Sequence, residues 1–314
     1  MEQPVRGKLV LITGASAGIG LETAKQLAAE GATVLLGCRN LDKAKGVQQE
    51  IRSLHPDANV IVGPVPLNTA RPDSVREYAQ ALNDSKQVLH ILVNNAGANY
   101  KNPWKTADGV AGLVQTNYLG PYALTRLLEP ALQPGARVIN VTSVTHRMAH
   151  IGDLGKFFFT RNKGATDVYP LTKLANVYFT YELEKRWQSK GIRAAAVDPG
   201  CAMPQWKGGP SINGSRPKQP FTTPCRYYAR GLFTSPLITW GRVGPARGIW
   251  GHIRTYAWAA RALTLSLLDW PLRYASGGRL ASSTCLVRSS TQSYDATLAQ
   301  ELWDMSAELA KLPQ

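Results

Sequence analysis

Acidic residues are scarce in this chain. Lys and Arg number 36 against 21 Asp and Glu, a formal net charge of +15, and residues 201–268 contain no Asp or Glu at all. A basic surface attracts phosphates, so nucleic-acid binding is the first function class to weigh. The basic residues are scattered along the chain, however, and no RNA- or DNA-binding motif stands among them, so nucleic acid is not an expected partner. Long apolar runs are lacking too: nothing approaches the roughly 18 residues of a membrane span, and the N-terminus has no basic–apolar–small cleavage pattern. The expectation is a cytoplasmic protein without a transmembrane segment. The four cysteines (Cys38, Cys201, Cys225 and Cys285) show neither metal-ligand nor paired spacing, which points to reduced thiols. The five histidines show no metal-ligand spacing either, and no metal is expected.

What is present begins with Thr13-Gly14-Ala15-Ser16-Ala17-Gly18-Ile19-Gly20, set between the apolar run Leu9 to Ile12 and a stretch of helical periodicity over residues 19–30. A strand, a glycine-rich turn and a helix start are what a pyrophosphate site needs. Gly14 allows the tight turn, Gly18 lets backbone approach the phosphates, and Gly20 lets the helix pack closely on the strand. The chain of 314 residues, 44% hydrophobic, can bury one large core. Helix and strand patterns alternate along it. Helices are expected over residues 41–54, 72–86, 109–132 and 295–312, and strands over residues 32–37, 59–65, 88–93, 136–143 and 191–197.

This glycine spacing resembles the short-chain dehydrogenase/reductase family, and further motifs of that family follow in order: Asn94-Asn95-Ala96-Gly97, Asn117, Ser143, Tyr169-Pro170-Leu171-Thr172-Lys173 and Asp198-Pro199-Gly200. Between Ser143 and Tyr169 lie more residues than the family usually has. That excess, with Ser143-Val144-Thr145-His146 and the run from Tyr169 to Val177, is similar to a subgroup that includes retinol dehydrogenases. The resemblance implies a single doubly wound α/β domain of Rossmann type, with a parallel seven-stranded sheet, helices on both faces and strand order 3-2-1-4-5-6-7. Residues 1–200 would form the dinucleotide-binding and catalytic core, 201–276 a divergent substrate loop, and 277–314 a closing strand and helix, the strand near Cys285 to Val287.

The cofactor is expected to be NADP(H). An acidic residue at the end of the second strand would hold the ribose hydroxyls of NAD, but Arg39 stands there and favours a 2′-phosphate. The resemblance assigns cofactor contacts to Gly14, Ser16, Gly18, Ile19, Gly20, Arg39, Asn40, Asn68, Asn94, Ala96, Gly97, Arg126, Tyr169, Lys173, Pro199, Gly200 and Ala202. Arg126 reads more simply as a surface residue. Where the family has a Thr that binds the carboxamide, this chain has Pro204, which cannot donate that bond.

The resemblance also implies a catalytic set of Ser143, Tyr169, Lys173 and Asn117. Tyr169 and Lys173 are four apart on a helix and share one face. A free phenol titrates near 10, and a neighbouring ammonium, helped by the positive nicotinamide of oxidised cofactor, would draw it toward working range. Ser143 would hold the substrate oxygen. Asn117 would bend its helix through a backbone-bound water and extend a proton relay. The implied reaction is hydride transfer between NADPH and the carbonyl or alcohol of an apolar small molecule, with secondary-metabolite tailoring as one setting. Phe157-Phe158-Phe159 reads either as a cover for such a substrate or as core. Residues 201–268 read as a basic substrate lid, as a membrane-surface element over residues 249–270, or as an aberrant gene segment. The last reading leaves room for a cofactor-binding protein with little catalysis. Homo-oligomers are common in the family.

Overall fold

All five residues of β1 (Leu9–Thr13) are buried. A strand covered on both faces requires helices above and below it, the arrangement of a parallel sheet. Side chains alternate accordingly: Leu9 and Leu11 join one apolar cluster, while Val10 and Ile12 join the cluster on the other face. The computed structural model describes residues 5–99, 102–159, 165–199, 279–282 and 285–313.

The first half runs β1, α1 (Gly18–Ala29), β2 (Thr33–Gly37), α2 (Leu41–Leu54), β3 (Val60–Val62), α3 (Pro72–Asp84) and β4 (Leu89–Asn94). The second half continues with α4 (Gly112–Val114), a π-helical turn (Gln115–Leu119), α5 (Gly120–Leu127), β5 (Leu132–Val141), α6 (Leu154–Phe159), α7 (Ala165–Trp187) and β6 (Arg193–Asp198). It closes with β7 (Arg279–Ser282), β8 (Cys285–Arg288) and α8 (Ala296–Leu309). The strands form one sheet in the order β3-β2-β1-β4-β5-β6-β7-β8. All neighbours pair in parallel except β7 with β8. The chain leaves β1 toward β2 on one side and reaches β4 on the other, so a crevice opens beyond the carboxyl ends of β1 and β4.

The doubly wound architecture is as expected, with three local differences. The seventh parallel strand is Arg279–Ser282, and Cys285 to Val287 turn back beside it as the antiparallel β8. Two short strands so close together leave no period by which to tell which one meets β6. The third strand stops at Val62 because Pro64 and Pro66, just beyond, have no N–H to give a ladder. The helix expected over residues 109–132 is interrupted: Gly120 N–H reaches back to the Gln115 carbonyl, a π-type bond. Pro121 follows and has no N–H to offer the Asn117 carbonyl four residues earlier. The expected domain limits at residues 200 and 276 lie outside the described residues.

Candidate active site

Gly14, at the end of β1, has φ +69°, and a Cβ there would lie 3.0 Å from Ala96 Cα. A Cβ on Gly20 would lie 2.6 Å from the Gly14 carbonyl oxygen. Both positions therefore demand glycine. Thr13 rivets the turn to the end of β4: its Oγ1 accepts from the amides of Asn95 and Ala96 at 3.0 and 2.8 Å, and its carbonyl accepts from Asn95 Nδ2 at 2.8 Å. The N-cap of α1 is Ala17, which offers no side-chain acceptor. The first-turn amides around Gly18, Ile19 and Gly20 are thus left without a side-chain cap, and helix N-termini in that state favour anions.

The rim of this turn is built at the end of β2. Ser16 bonds the buried Cys38 thiol, whose pKa is pushed up by burial. Arg39 and Asn40 are exposed, and Asn40 Oδ1 caps α2 by accepting from Lys43 N at 2.8 Å. The Leu67 amide donates to the Cys38 carbonyl at 2.9 Å, which brings Asn68 to the same edge. Asn68 Oδ1 turns its own loop by accepting from Ala70 N at 3.1 Å.

Two expected cofactor contacts point elsewhere. Asn94 Nδ2 is buried and donates to Thr125 Oγ1 and Asn140 Oδ1 at 2.9 and 2.8 Å, so this side chain stiffens the core beneath the site. Arg126 turns to the C-terminal helix. Its guanidinium stacks 4.8 Å from the Trp303 ring centre and donates to Tyr122 Oη and the Pro313 carbonyl. A planar cation gains from an aromatic face, and α8 supplies one. Gly200 and Ala202, with Pro204, lie outside the described residues; Pro199 is buried at the end of β6.

The expected catalytic side chains do converge. Ser143 follows β5 and caps a short 3₁₀ turn (Val144–Met148), its Oγ accepting from Thr145 N at 3.3 Å. Its hydroxyl also bonds the Tyr169 phenol. One turn further along α7, Lys173 is only 5% exposed. Lys173 Nζ lies 5.4 Å from the centre of the Tyr169 ring and donates to the Val141 carbonyl at 2.9 Å. The space that a Cβ on Gly97 would take is 3.8 Å from Lys173 Nζ and 3.4 Å from Asn117 Oδ1. Asn117 clamps the loop after Gly97, accepting from Ala98 N and donating to Ala98 O, each at 2.8 Å. Its own carbonyl, deprived of a helical donor by Pro121, accepts from Asn176 Nδ2 at 3.1 Å. The Asn176 amide thus binds the carbonyl at which a water was expected.

Electrostatics differ from expectation as well. Burial lowers Lys173 to about 8, partly opposed by the carboxylate of Asp198. Burial raises Tyr169 to about 12, Asp198 adds to the rise, and only the Ser143 hydroxyl acts against it. The ammonium points at the Val141 carbonyl, so desolvation decides the phenol's direction. Phe157 and Phe158 are core, the former edge-on to Tyr118 at 5.8 Å between ring centres. Phe159 alone of the three is exposed.

A nicotinamide dinucleotide fits these residues. A Cβ-free cradle at Gly14 and Gly20, an uncapped helix start, and a buried ammonium beside Gly97 lie along one crevice edge. The comparisons agree. The short chain dehydrogenase family profile matches residues 8–207. Human retinol dehydrogenase 11 is 33% identical over 98% of this chain and 87% of its own length. The chain belongs to the short-chain dehydrogenase family. It is an oxidoreductase of the retinol dehydrogenase-like subgroup, acting on CH–OH or C=O groups. A crystal structure of an uncharacterized protein from Mycobacterium Paratuberculosis superposes with a TM-score of 0.71 at 25% identity, covering 98% of this chain and 96% of that one. A short chain dehydrogenase from Burkholderia cenocepacia J2315, solved in complex with NADP, gives 0.50 at 26% identity over 62% of this chain and 74% of that one.

Several side chains that shape this dehydrogenase's site escaped the sequence reading: Thr13, Asn95, Asn176, Asp198 and His146. All five stood inside quoted motifs or runs without a role of their own. Asn176 lies on the Tyr169–Lys173 helix, where a mid-helix Asn is unfavourable and wants a reason. No helix among the described residues is long and apolar enough to cross a membrane. Among them, too, no group of three His, Cys, Asp or Glu could hold a metal.

Proposed function

We propose that this dehydrogenase is an NADPH-dependent reductase of the carbonyl group of an apolar small molecule. The convergence of Ser143, Tyr169 and Lys173 beside Gly97 carries the reading. NADPH, when bound, supplies the hydride. Tyr169 delivers its phenolic proton to the substrate oxygen, which the Ser143 hydroxyl also holds. A phenol titrating at about 12 stays protonated through the neutral range, the state that proton delivery requires. Lys173, fixed by the Val141 carbonyl, presents its remaining N–H bonds toward Gly97, where ribose hydroxyls would lie. Asn117 holds the Ala98 backbone in place and extends the path by which Tyr169 regains a proton. The catalytic residues are therefore Ser143, Tyr169, Lys173 and Asn117. An apolar alcohol or aldehyde is supported by the resemblance to a protein named for retinol, and tailoring of a secondary metabolite suits the same chemistry.

Preference for NADPH rests on Arg39, exposed at the end of β2 with Asn40 beside it. A guanidinium at that edge pairs with a 2′-phosphate, while NADH presents only hydroxyls there. Fluorescence titration of purified protein with NADPH and with NADH tests this. Arg39→Ala weakens NADPH binding about tenfold and leaves NADH unchanged, a charge-assisted bond being worth about 1.5 kcal/mol or more. Equal weakening of both, or binding of neither, contradicts the assignment.

A further inference from the structure

His146 is completely buried, whereas His55 and His90 are half-buried and His150 is exposed. Its Nδ1 lies 2.6 Å from the carbonyl oxygen of Ser143, and its Nε2 lies 3.2 Å from the backbone nitrogen of Ser290. A carbonyl can only accept and an amide N–H can only donate. One state of the ring satisfies both partners: neutral, with the proton on Nδ1 and the lone pair on Nε2. The imidazolium, with two N–H donors, would set one of them against the Ser290 amide. Burial acts in the same direction, holding the imidazole below its ordinary titration range. Of the charged groups that the ring feels, Arg147 on its own turn assists and Asp198 from β6 opposes.

Ser290 belongs to a segment clasped to the second half of the sheet by other bonds. Tyr178 Oη donates to the Gln292 carbonyl at 2.7 Å, and Tyr181 Oη is hydrogen-bonded to Ser289 Oγ at the same distance. The Gln292 side chain bonds both backbone groups of Ile151, at 3.1 and 3.0 Å. These bonds tie the segment to α7 and to the loop before α6. The His146 bonds end on Ser143 itself. Its carbonyl also accepts from the His146 amide at 3.0 Å, so ring and backbone together set the peptide that carries the serine hydroxyl.

We propose that His146 is a positioning residue for substrate-oxygen recognition: it couples the docked C-terminal segment at Ser290 to the peptide of Ser143, and so aims the Ser143 hydroxyl at the oxygen that Tyr169 protonates. The proposal rests on the reading of Ser143 as the substrate-oxygen donor. Loss of the link costs orientation, leaving cofactor binding at the glycine turn intact. Acid breaks it by protonating Nε2.

Two measurements decide. In ¹⁵N-histidine-labelled protein, the resonance that disappears in His146→Gln must show a protonated Nδ1 and an unprotonated Nε2 at neutral pH. The opposite tautomer overturns the proposal. In NADPH-dependent reduction of decanal, His146→Ala lowers kcat about ten- to a hundredfold, the range for a small misplacement in a proton-delivering site, with NADPH affinity unchanged. His146→Gln recovers most of kcat, because its amide can donate to Ser143 O and accept from Ser290 N–H, and it removes the acid limb of the kcat–pH profile that wild type shows. A kcat for His146→Ala equal to wild type, a fall in NADPH affinity parallel to kcat, or an unchanged acid limb in His146→Gln overturns the proposal. A wild-type protein that binds NADPH but reduces no carbonyl instead removes the proposed function. The tautomer, and faster amide exchange across residues 143–151 and 289–293 in His146→Ala, then still decide the linkage.

Discussion

At Gly14 and Gly20 the site is shaped by the absence of a side chain, whereas around Ser143 it is shaped by polar side chains buried and bonded across long stretches of sequence. The glycine turn brings β1, α1 and the end of β4 into close backbone approach, with the side chains of Thr13 and Asn95 as its fasteners. The proton-delivering cluster needs β5, α7, β6, the π-helical turn and a C-terminal segment to hold five side chains. Backbone cradles are set by local steric rules and tolerate change elsewhere. A cluster of buried polar groups depends on every partner being present, since an orphaned one costs about 1–3 kcal/mol.

That contrast can be broken or sharpened by substitution. Ser143→Ala removes one donor to the substrate oxygen, and kcat should fall by about two to three orders of magnitude, as for the loss of an oxyanion-type donor, with NADPH affinity unchanged in titration. A parallel loss of cofactor binding would merge the two regions into one. Gly20→Ala places a methyl against the Gly14 carbonyl, and thermal or denaturant unfolding should show a loss of about 1–3 kcal/mol with weaker NADPH binding. Gly46→Ala on α2, where a Cβ meets nothing within 4 Å, is the control: it should stabilise by about 0.5–1 kcal/mol.

The smallest effect is on pH dependence, through two histidines: His90 at the start of β4 and His146 beside Ser143. His90 accepts from the Leu9 amide at 3.1 Å, and His146 accepts from Ser290. Burial holds both below the ordinary value of 6.5. The unfolded chain therefore binds more protons than the native one just below that value, and stability rises with pH through this window and falls on acidification. Denaturant titrations at pH 5.5 and 7.5 should show it, with a shallower loss in His146→Gln and in His90→Gln. An unchanged slope in both variants would remove the buried-neutral assignment.

Legibility followed the same division. The glycine spacing, the apolar run of β1 and the Tyr169–Lys173 pair were readable because each is a local pattern: a turn, a buried strand, a helix face. The bonds from His146 to Ser290 and from Asn176 to Asn117 join residues 144 and 59 positions apart, and such pairs leave no local pattern. Arg126 is neither a surface residue nor a cofactor contact because it packs on Trp303 of the C-terminal helix and bonds Pro313 beyond it, a docking that no motif announces. The rise of the phenol was not legible because the i,i+4 rule brings Lys173 near Tyr169 but says nothing of the Val141 carbonyl that takes the ammonium, and the positive nicotinamide invoked with it belongs to bound cofactor.

The most direct test compares wild type with Tyr169→Phe, measuring NADPH binding and NADPH-dependent reduction of an apolar aldehyde on the same samples. Equal cofactor affinity, with turnover lower by about three orders of magnitude or more in the variant, is the predicted result. Turnover that survives the loss of the phenol, or a wild-type protein that binds NADPH and reduces nothing, would contradict the account of Tyr169 as the proton donor of a working reductase.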